Sequence, residues 1–330
     1  MSRIISAVAL AAALPTAAGA SAIISDGNIM LGVQDTGALN VPGGTPSPVT
    51  GTPDVGLRFT PTGNEATAHG CLCEGWGVGI GDTGVSGFDG NGFSNLSVDS
   101  FNSTATTATS VTSLTSGELK VTHDFAKAAE TDNLYRVSVS IENTSGADIS
   151  DLRYTRVMDW DIEPTTFNEF STIQGTAAAT NVLFAHDDGF EAADPFAARS
   201  EIVAGATGDF VDSGPADHGA LFDFGFGALA DGDVFSFDIF YGGAKTEVEA
   251  LADLSAVGAE VFSFGQIADD PFGLGLDDAA GNPSNTFIFG FAGVGGTPVP
   301  PPAPIPVPAT GLLLLTGLGV LFGKSRKSKA

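Results

Sequence analysis

Apolar and polar residues alternate with a period of two along much of this chain. In the run 135–141 every second residue is Tyr, Val or Ile, and in the run 222–241 Phe alternates with small or charged residues on both sides of an Asp-Gly pair. Successive side chains of a strand point to opposite faces, so this pattern predicts half-buried β-strands. Further strands are predicted at 54–60, 96–101, 109–114, 118–125, 172–174, 182–186, 261–266 and 286–291.

Two turns suggest how the alternating runs pair. The segment 143–146, Asn-Thr-Ser-Gly, separates the run 135–141 from 149–160, and Ala-Asp-Gly-Asp at 230–233 separates 222–226 from 234–241. Asn, Asp and Gly adopt tight-turn conformations at low cost, and Asp-Gly between alternating runs is a strong hairpin signal. The sequence therefore predicts a β-hairpin at each turn.

One segment has helical spacing instead. Between 245 and 257, apolar residues recur every three positions at Val248, Leu251, Leu254 and Val257, which predicts a helix. Many short strands separated by turn residues, with one late helix, are typical of an all-β protein built as an antiparallel β-sandwich. The segment 23–296 is long enough for one extended sandwich or two smaller ones.

The first 22 residues have the pattern of a secretory signal peptide. A positive start at Arg3 precedes an apolar core at 4–14 and the small residues Ala20-Ser21-Ala22. This order predicts cleavage after Ala22 and export of the chain by the secretion machinery.

The last 34 residues form a second targeting segment. A Pro-rich spacer at 297–308 leads to an apolar run at 309–323 and a basic tail at 324–330. Prolines favour an extended spacer, and basic residues stay on the cytoplasmic side of a membrane. The run 309–323 is predicted to be a transmembrane segment, although it is shorter than the roughly 17–25 residues of an ordinary spanning helix. An ordinary single-span anchor and a processed segment both remain open.

The motif Ile305, Pro306, Val307, Pro308, Ala309 resembles the Val-Pro-Leu-Pro-Ala variant of PEP-CTERM sorting signals, with Ile and Val at its first and third positions. The resemblance implies a protein of Gram-negative bacteria that an exosortase-type peptidase cuts near the motif. It implies a precursor anchored in the inner membrane and a mature form at the cell surface or outside the cell.

A second resemblance lies in the middle of the chain. The run 134–160, in which Asn-Thr-Ser-Gly joins two strands, looks like the repeat unit of bacterial surface Ig-like domains. It covers a small part of the chain, and it implies an architecture and no chemistry.

Charge limits the partners of the segment 23–296. All 39 acidic residues lie there with only eight of the 13 Lys and Arg residues, which gives this ectodomain a formal charge of −31. Such a surface repels nucleic acid and anionic membranes, whereas it attracts divalent cations and keeps an exported protein soluble.

The two cysteines, Cys71 and Cys73, lie in the sequence His-Gly-Cys-Leu-Cys-Glu that begins at His69. Two cysteines of an exported protein usually pair, although so small a ring is strained. A Cys71–Cys73 disulfide, two free thiols, and a thiophilic-metal site with His69 and Glu74 are all compatible with this spacing.

Three carboxylates alternate along an extended segment. Asp159, Asp161 and Glu163 are predicted to share one face, opposite Trp160 and Ile162. They could bind calcium, act as acid and base in a glycosidase, or remain in water or bonded to nearby arginines. Loops rich in Asp, Gly and Asn could add calcium ligands, although tight turns require the same residues.

The sequence favours a non-enzymatic function. It contains no nucleophile elbow, phosphate-binding loop, dinucleotide fingerprint or His-Glu-x-x-His helix. We expect an exported surface or matrix protein with a structural or adhesive role and no cofactor apart from possible calcium. One alternative is a calcium-dependent module that binds exopolysaccharide, with Trp76 and Trp160 as exposed aromatics. The other is a secreted polysaccharide hydrolase that uses Asp159 and Asp161.

Overall fold

The computed structural model describes residues 21–70 and 74–303, which form nineteen β-strands, one α-helix and a short 3-10 helix. The helix α1 spans Glu247–Val257, and the 3-10 helix spans Thr176–Ala178. The strands, numbered in chain order, are β1 (Ser21–Asp26), β2 (Ile29–Gln34), β3 (Leu57–Phe59), β4 (Asn64–Glu65), β5 (Glu74–Ile80), β6 (Val85–Asp89), β7 (Phe93–Ser94), β8 (Leu96–Ser103), β9 (Ala108–Leu114), β10 (Leu119–Lys127), β11 (Leu134–Asn143), β12 (Ile149–Trp160), β13 (Glu169–Gln174), β14 (Val182–His186), β15 (Phe210–Ala216), β16 (His218–Leu229), β17 (Val234–Ala244), β18 (Val261–Ile267) and β19 (Thr286–Ala292).

These strands form three antiparallel sheets. The largest has nine strands in the order β15-β13-β18-β19-β17-β11-β10-β9-β8, and the second has six in the order β14-β16-β12-β5-β6-β7. A small sheet contains β1 to β4 in chain order. The predicted all-β class, with antiparallel sheets and one helix, is confirmed.

Aromatic side chains join the nine-stranded and six-stranded sheets across a common core. The ring of Phe222 on β16 lies 4.9 Å from that of Phe291 on β19, and the ring of Tyr154 on β12 lies 5.0 Å from that of Phe237 on β17. All four side chains are almost completely buried. Aromatic rings remove large apolar areas from water, so this layer supplies much of the hydrophobic stabilisation of the fold.

Both predicted hairpins are wrong. Strand β11 pairs with β10 and β17, whereas β12 pairs with β16 and β5. In the same way β16 belongs to the six-stranded sheet and β17 to the nine-stranded sheet. Each turn therefore carries the chain from one sheet to the other. The strands on either side meet through their apolar faces, as the rings of Phe226 and Phe235 do at 4.1 Å.

The two crossing turns also bond to each other. The Asn143 N–H donates to the Asp233 carbonyl at 3.0 Å, and the Gly232 N–H donates to the Asn143 carbonyl at 2.9 Å. The Gly146 N–H donates to Asp231 Oδ1 at 3.0 Å. Gly232 and Gly146 have φ values of 77° and 79°, which glycine adopts without strain. The residues that suggested hairpins instead stabilise two neighbouring crossings.

Helix α1 begins two residues after the predicted start and ends at the predicted position. The Thr246 side chain accepts a hydrogen bond from the Glu249 N–H at 3.2 Å, and Gly258 ends the helix in the left-handed conformation. Leu254 is buried, but Val248 is 50% exposed. Three-residue spacing therefore located the helix without identifying its whole buried face.

The packed body reaches beyond the predicted limits of 23 and 296. Ser21 and Ala22, the last residues of the predicted signal peptide, belong to β1 and pair with β2. At the other end, Val299 is 9% exposed and its N–H donates to the Ala259 carbonyl at 2.7 Å. The first residues of the Pro-rich spacer therefore pack against the body, while cleavage after Ala22 remains a prediction.

A buried ion pair links the two large sheets. Arg156 Nε on β12 donates to Glu74 Oε1 on β5 at 2.6 Å, and the Tyr241 hydroxyl on β17 donates to the same oxygen at 2.8 Å. The Leu39 N–H donates to Glu74 Oε2 at 2.6 Å, and Arg156 Nη2 donates to the Gly37 carbonyl at 3.1 Å. These charges are out of water, so each depends on its partners for compensation.

Candidate functional site

Buried carboxylates gather at one end of the six-stranded sheet, where β12 ends and β16 begins. The antiparallel register of these strands places Trp160 opposite His218. Asp161 directly follows β12 and Asp217 directly precedes β16, so the two aspartates come close to each other. Asp159 lies two residues before Asp161 and on the same face of the chain.

One carboxylate oxygen from each of Asp159, Asp161 and Asp217 lies within 4.8 Å of the other two. Asp159 and Asp161 are 1% and 0% exposed, whereas Asp217 is partly exposed. Glu169, at the start of β13, is fully buried beside them, and its Oε1 accepts a hydrogen bond from the Ile162 N–H at 3.1 Å. We refer to Asp159, Asp161, Asp217 and Glu169 as the acidic cluster.

Glycines allow the surrounding backbone to approach the cluster closely. A Cβ atom at Gly70 would lie 3.1 Å from Asp161 Oδ2, and one at Gly189 would lie 3.0 Å from Asp159 Oδ1. Gly70 also has a φ of +57°, a conformation that favours glycine. The backbone at these two positions therefore forms part of the wall around the carboxylates.

Burial and mutual repulsion disfavour the ionised state of the cluster. Burial raises the pKa of Asp159, and the charges of Asp161 and Asp217 raise it further. Burial and the charge of Asp217 likewise raise the pKa of Asp161. Burial raises the pKa of Glu169 to about 9, although backbone hydrogen bonds oppose the shift. Like charges in a poorly solvated site keep protons at neutral pH unless a cation compensates them.

The Lys and Arg side chains of the described residues form ion pairs with acids outside the cluster. Arg153 and Arg156, the arginines nearest to the row 159–163 in sequence, are bonded to Asp151 and Glu74. Within residues 21–70 and 74–303, the Lys and Arg ion pairs are Arg58–Glu65, Lys120–Glu142, Lys127–Asp132, Arg136 with Glu130 and Asp238, Arg153–Asp151, Arg156–Glu74, Arg199 with Glu191 and Asp223, and Lys245–Asp277.

Two histidines beside the cluster hydrogen-bond to other carboxylates. His69 Nε2 lies 3.1 Å from Glu163 Oε1, and His218 Nδ1 lies 3.0 Å from Asp187 Oδ2. Burial lowers the pKa of His69, but its hydrogen bond and the charge of Glu163 leave that pKa above its usual value. A protonated His69 partly offsets the charge of Asp161 without bonding to it.

Glu163, the third predicted calcium ligand, has a separate environment. It is fully buried, and it accepts hydrogen bonds from the hydroxyls of Ser47 and Thr50 and from the Glu65 N–H at 2.9 Å. With His69 as a further partner, the Glu163 carboxylate is well satisfied, and its pKa is lowered although burial opposes that shift. The structure thus brings together the first two acids of the predicted row and places the third elsewhere.

The expectation of exposed tryptophans is wrong. Trp76 and Trp160 are both 0% exposed. The Trp76 indole donates to the Thr36 carbonyl at 2.9 Å, and the Trp160 indole donates to Ser263 Oγ at 3.1 Å. Strand β5 is buried along its whole length and β12 is buried from Tyr154 to Trp160, so neither tryptophan reaches the surface. The carbohydrate-binding alternative therefore loses its stacking surface at these positions.

Carboxylates of the Asp-rich loops support their own turns. Asp278 Oδ1 accepts hydrogen bonds from the Ala280 N–H at 2.9 Å and the Asn282 N–H at 2.7 Å. Asp188 Oδ1 accepts one from the Phe190 N–H at 2.9 Å. These bonds match the turn interpretation of such loops.

Sequence analysis missed Asp217 and Glu169. Asp217 lies 56 residues and Glu169 eight residues after Asp161 along the chain, and only the pairing of β12 with β16 and the position of β13 bring them near it. A faint signal existed, because Asp217 directly precedes the strand β16 just as Asp161 directly follows the strand β12. Acids at the ends of two long strands meet when those strands pair.

Several predicted features lie outside the described residues. They are Cys71, Cys73, the motif Ile305 to Ala309, the apolar segment 309–323 and the basic tail, so their roles stay predictions. Among residues 21–70 and 74–303, no helix has the length and apolar character needed to cross a membrane.

The sequence matches no protein-family model, and no curated protein is significantly similar to it. The geometry and charge of the acidic cluster are therefore the basis for its chemistry.

Proposed function

We propose that this chain is an exported β-sandwich protein with a structural or adhesive role at the cell surface or in the extracellular matrix. Its precursor is tethered to the inner membrane, and an exosortase-type peptidase processes it near the motif 305–309. The observation that carries the structural role is that buried charged side chains bond strands and loops to one another.

Two buried or nearly buried arginines illustrate this use of charge. Arg156 joins strands of the six-stranded sheet, and its partner Glu74 accepts a hydrogen bond from Tyr241 of the opposite sheet. Arg199 donates from Nε and Nη2 to both oxygens of Asp223 on β16, each at 2.7 Å. Bidentate pairs of this kind hold a loop against a strand in one geometry. Such rigid contacts suit a protein with a structural role better than one that changes conformation.

The outer face of the nine-stranded sheet offers a surface for adhesion. A shallow groove of about 520 Å³ on this face is lined by hydroxyl and carboxylate side chains, among them Thr122, Asp124, Ser138, Ser140 and Asp238. Such groups donate and accept hydrogen bonds with hydrated polymers. We assign contact with exopolysaccharide to this face.

Glycoside hydrolysis is a poorer fit to the same acids. A glycosidase places two carboxyl groups on either side of an accessible bond, about 5–5.5 Å or 6.5–9.5 Å apart. Asp159 and Asp161 come from one face of one strand and are 1% and 0% exposed, so a sugar chain does not reach them.

Processing is tested in a Gram-negative host that has an exosortase-type peptidase. With an epitope tag in the 116–117 turn, the wild-type ectodomain should reach the surface or medium, and mass spectrometry should find a C-terminus near the motif. The double variant Pro306→Ala/Pro308→Ala should accumulate in the inner membrane. Replacing Pro300 and Pro301 by Ala changes the spacer but not the motif, and it is the control. A surface protein that still carries its basic tail contradicts the processing step.

Adhesion is tested separately with a strain that lacks this chain. Loss of cell aggregation or of retained exopolysaccharide, restored by the wild-type chain, supports the proposed role. Unchanged aggregation together with specific catalytic turnover by the purified protein would refute it.

A further inference from the structure

We propose that the acidic cluster is a structural binding site for a divalent cation of the calcium type, with Asp159, Asp161 and Asp217 as ligands. The bound ion would join the end of β12 to the start of β16, beside Glu169 of the nine-stranded sheet. This inference does not depend on how the chain is exported or processed.

Ligand geometry supports one shared ion. Calcium binds oxygen at about 2.3–2.6 Å, so two oxygens on one ion are at most about 5 Å apart. The ligand oxygens of the three aspartates all lie within 4.8 Å of one another. Three carboxylates, some of them bidentate, together with water or backbone carbonyls, supply the six to eight oxygens that calcium takes.

Buried oxygens without partners are a second, independent sign of a missing ligand. Among the described residues, neither oxygen of Asp161 has a hydrogen-bond partner, although Asp161 is 0% exposed. The same is true of Oε2 of Glu169, a fully buried residue on another sheet whose charge interacts with those of Asp161 and Asp217. Buried polar atoms are normally satisfied, and carboxylate oxygens left unsatisfied on neighbouring acids indicate a cation between or beside them.

The chain itself offers few positive charges that could compensate these carboxylates. The eight Lys and Arg side chains of the described ectodomain are already paired with other acids. His69 and His218 hydrogen-bond to Glu163 and Asp187. Protons or a metal ion are the remaining sources of positive charge. A metal ion compensates three carboxylates at once.

The donor set selects the class of ion. All three ligands are carboxylates, and hard oxygen donors suit calcium and magnesium rather than thiophilic metals. Calcium tolerates irregular coordination, whereas magnesium requires a near-ideal octahedron and keeps several waters. Two of the three carboxylates are nearly dry, and all three lie at the ends of two paired strands, which favours calcium.

Thermal unfolding of the full chain in EDTA and in millimolar calcium tests the proposal. Because the ion binds only the folded state, calcium at about 100 times its Kd should raise the Tm by about 4–6 °C. Magnesium at the same concentration should have a smaller effect. Terbium, used as a calcium substitute, should show luminescence sensitised by Trp160, which lies between two ligands in sequence.

The variants Asp161→Asn and Asp217→Asn separate metal binding from a purely structural role. In EDTA each removes a repelled charge, so its Tm should equal or exceed that of the wild type. In calcium each should fall below the wild type and lose most of the calcium-induced shift. Asp233→Asn, which removes an exposed acid from a crossing turn, should keep the whole shift.

Three outcomes would overturn the proposal. The first is no Tm shift with millimolar calcium and no terbium luminescence. The second is a calcium shift that survives in both Asn variants, because the ion then binds elsewhere on the acidic surface. The third is an equal loss of stability by the variants in EDTA and in calcium, because the carboxylates then act without a metal. Asp217 is partly exposed, so Asp217→Asn keeps the test valid if Asp161→Asn does not fold.

Discussion

Removing one member of the buried Arg156–Glu74 pair should destabilise the sandwich strongly. Glu74→Gln keeps the shape of the side chain but removes the charge that Arg156 Nε contacts at 2.6 Å. Burial lowers the pKa of Arg156, but the charge and hydrogen bond of Glu74, together with Tyr241 and Tyr154, raise it above its usual value, so the guanidinium remains charged. Both side chains are 0% exposed, and breaking such a pair costs about 3–5 kcal/mol.

The loss can be measured by urea denaturation and by thermal unfolding of the full chain. Trp76 is a useful fluorescent probe, because its ring stacks near Tyr154, which accepts a hydrogen bond from Arg156 Nη1 at 3.4 Å. A loss of about 3–5 kcal/mol corresponds to a Tm about 5–9 °C lower in a protein of this size.

An exposed pair provides the matched control. Lys120 Nζ and Glu142 Oε2 are 3.8 Å apart and both side chains are about two-fifths exposed, so Glu142→Gln should cost less than about 1 kcal/mol. The double variant Arg156→Met/Glu74→Gln leaves no buried charge and should recover part of the stability lost in Glu74→Gln. The reasoning is refuted if Glu74→Gln costs no more than Glu142→Gln.

Two further predictions concern the core. Burial and the charge of Arg156 hold the pKa of His123 well below its usual value. As the pH falls below about 6.5, the unfolded state therefore takes up a proton at His123 before the folded state does, and stability should fall. Urea denaturation at about pH 5 and pH 7.5 should show a smaller loss of stability for His123→Gln than for the wild type, and an equal loss would contradict this assignment. A double-mutant cycle with Phe226→Ala and Phe235→Ala should give a coupling of about 0.5–1.5 kcal/mol across the crossing turn, whereas additive losses would exclude direct ring packing.

Strands β16 and β17 show what alternation predicts and what it does not. Phe222, Phe224 and Phe226 alternate with other residues in β16, as Phe235, Phe237, Ile239 and Tyr241 do in β17, and this period correctly indicated two strands. Period alone does not say whether two such rows lie side by side in one sheet or opposite each other across a core. Phe226 and Phe235 pack across the core, and the Asp-Gly turn allows that crossing as readily as a hairpin.

The acidic cluster was predictable only in part for the same reason. The i, i+2 relation of Asp159 and Asp161 is local, and the sequence placed them on one face. Asp217 joins them because β12 pairs with β16 in a particular register, and Glu169 joins them from a strand of the other sheet. The burial of Trp160 was missed because an aromatic residue among acids fits an exposed site and a strand end equally well.

The charge imbalance of the chain connects the two proposals. With eight basic residues for 39 acidic ones in the segment 23–296, the exposed acids are screened by water and salt, but the acidic cluster is not. The proposed cation would stabilise the ionised form of the cluster, and its binding would add to stability in proportion to the logarithm of the free ion concentration. Extracellular modules bind calcium at about 10⁻⁴–10⁻³ M, a level found outside cells. A protein with such a site would be less stable before the proposed export and would gain stability after it, which suits transport of an unfolded chain across a membrane.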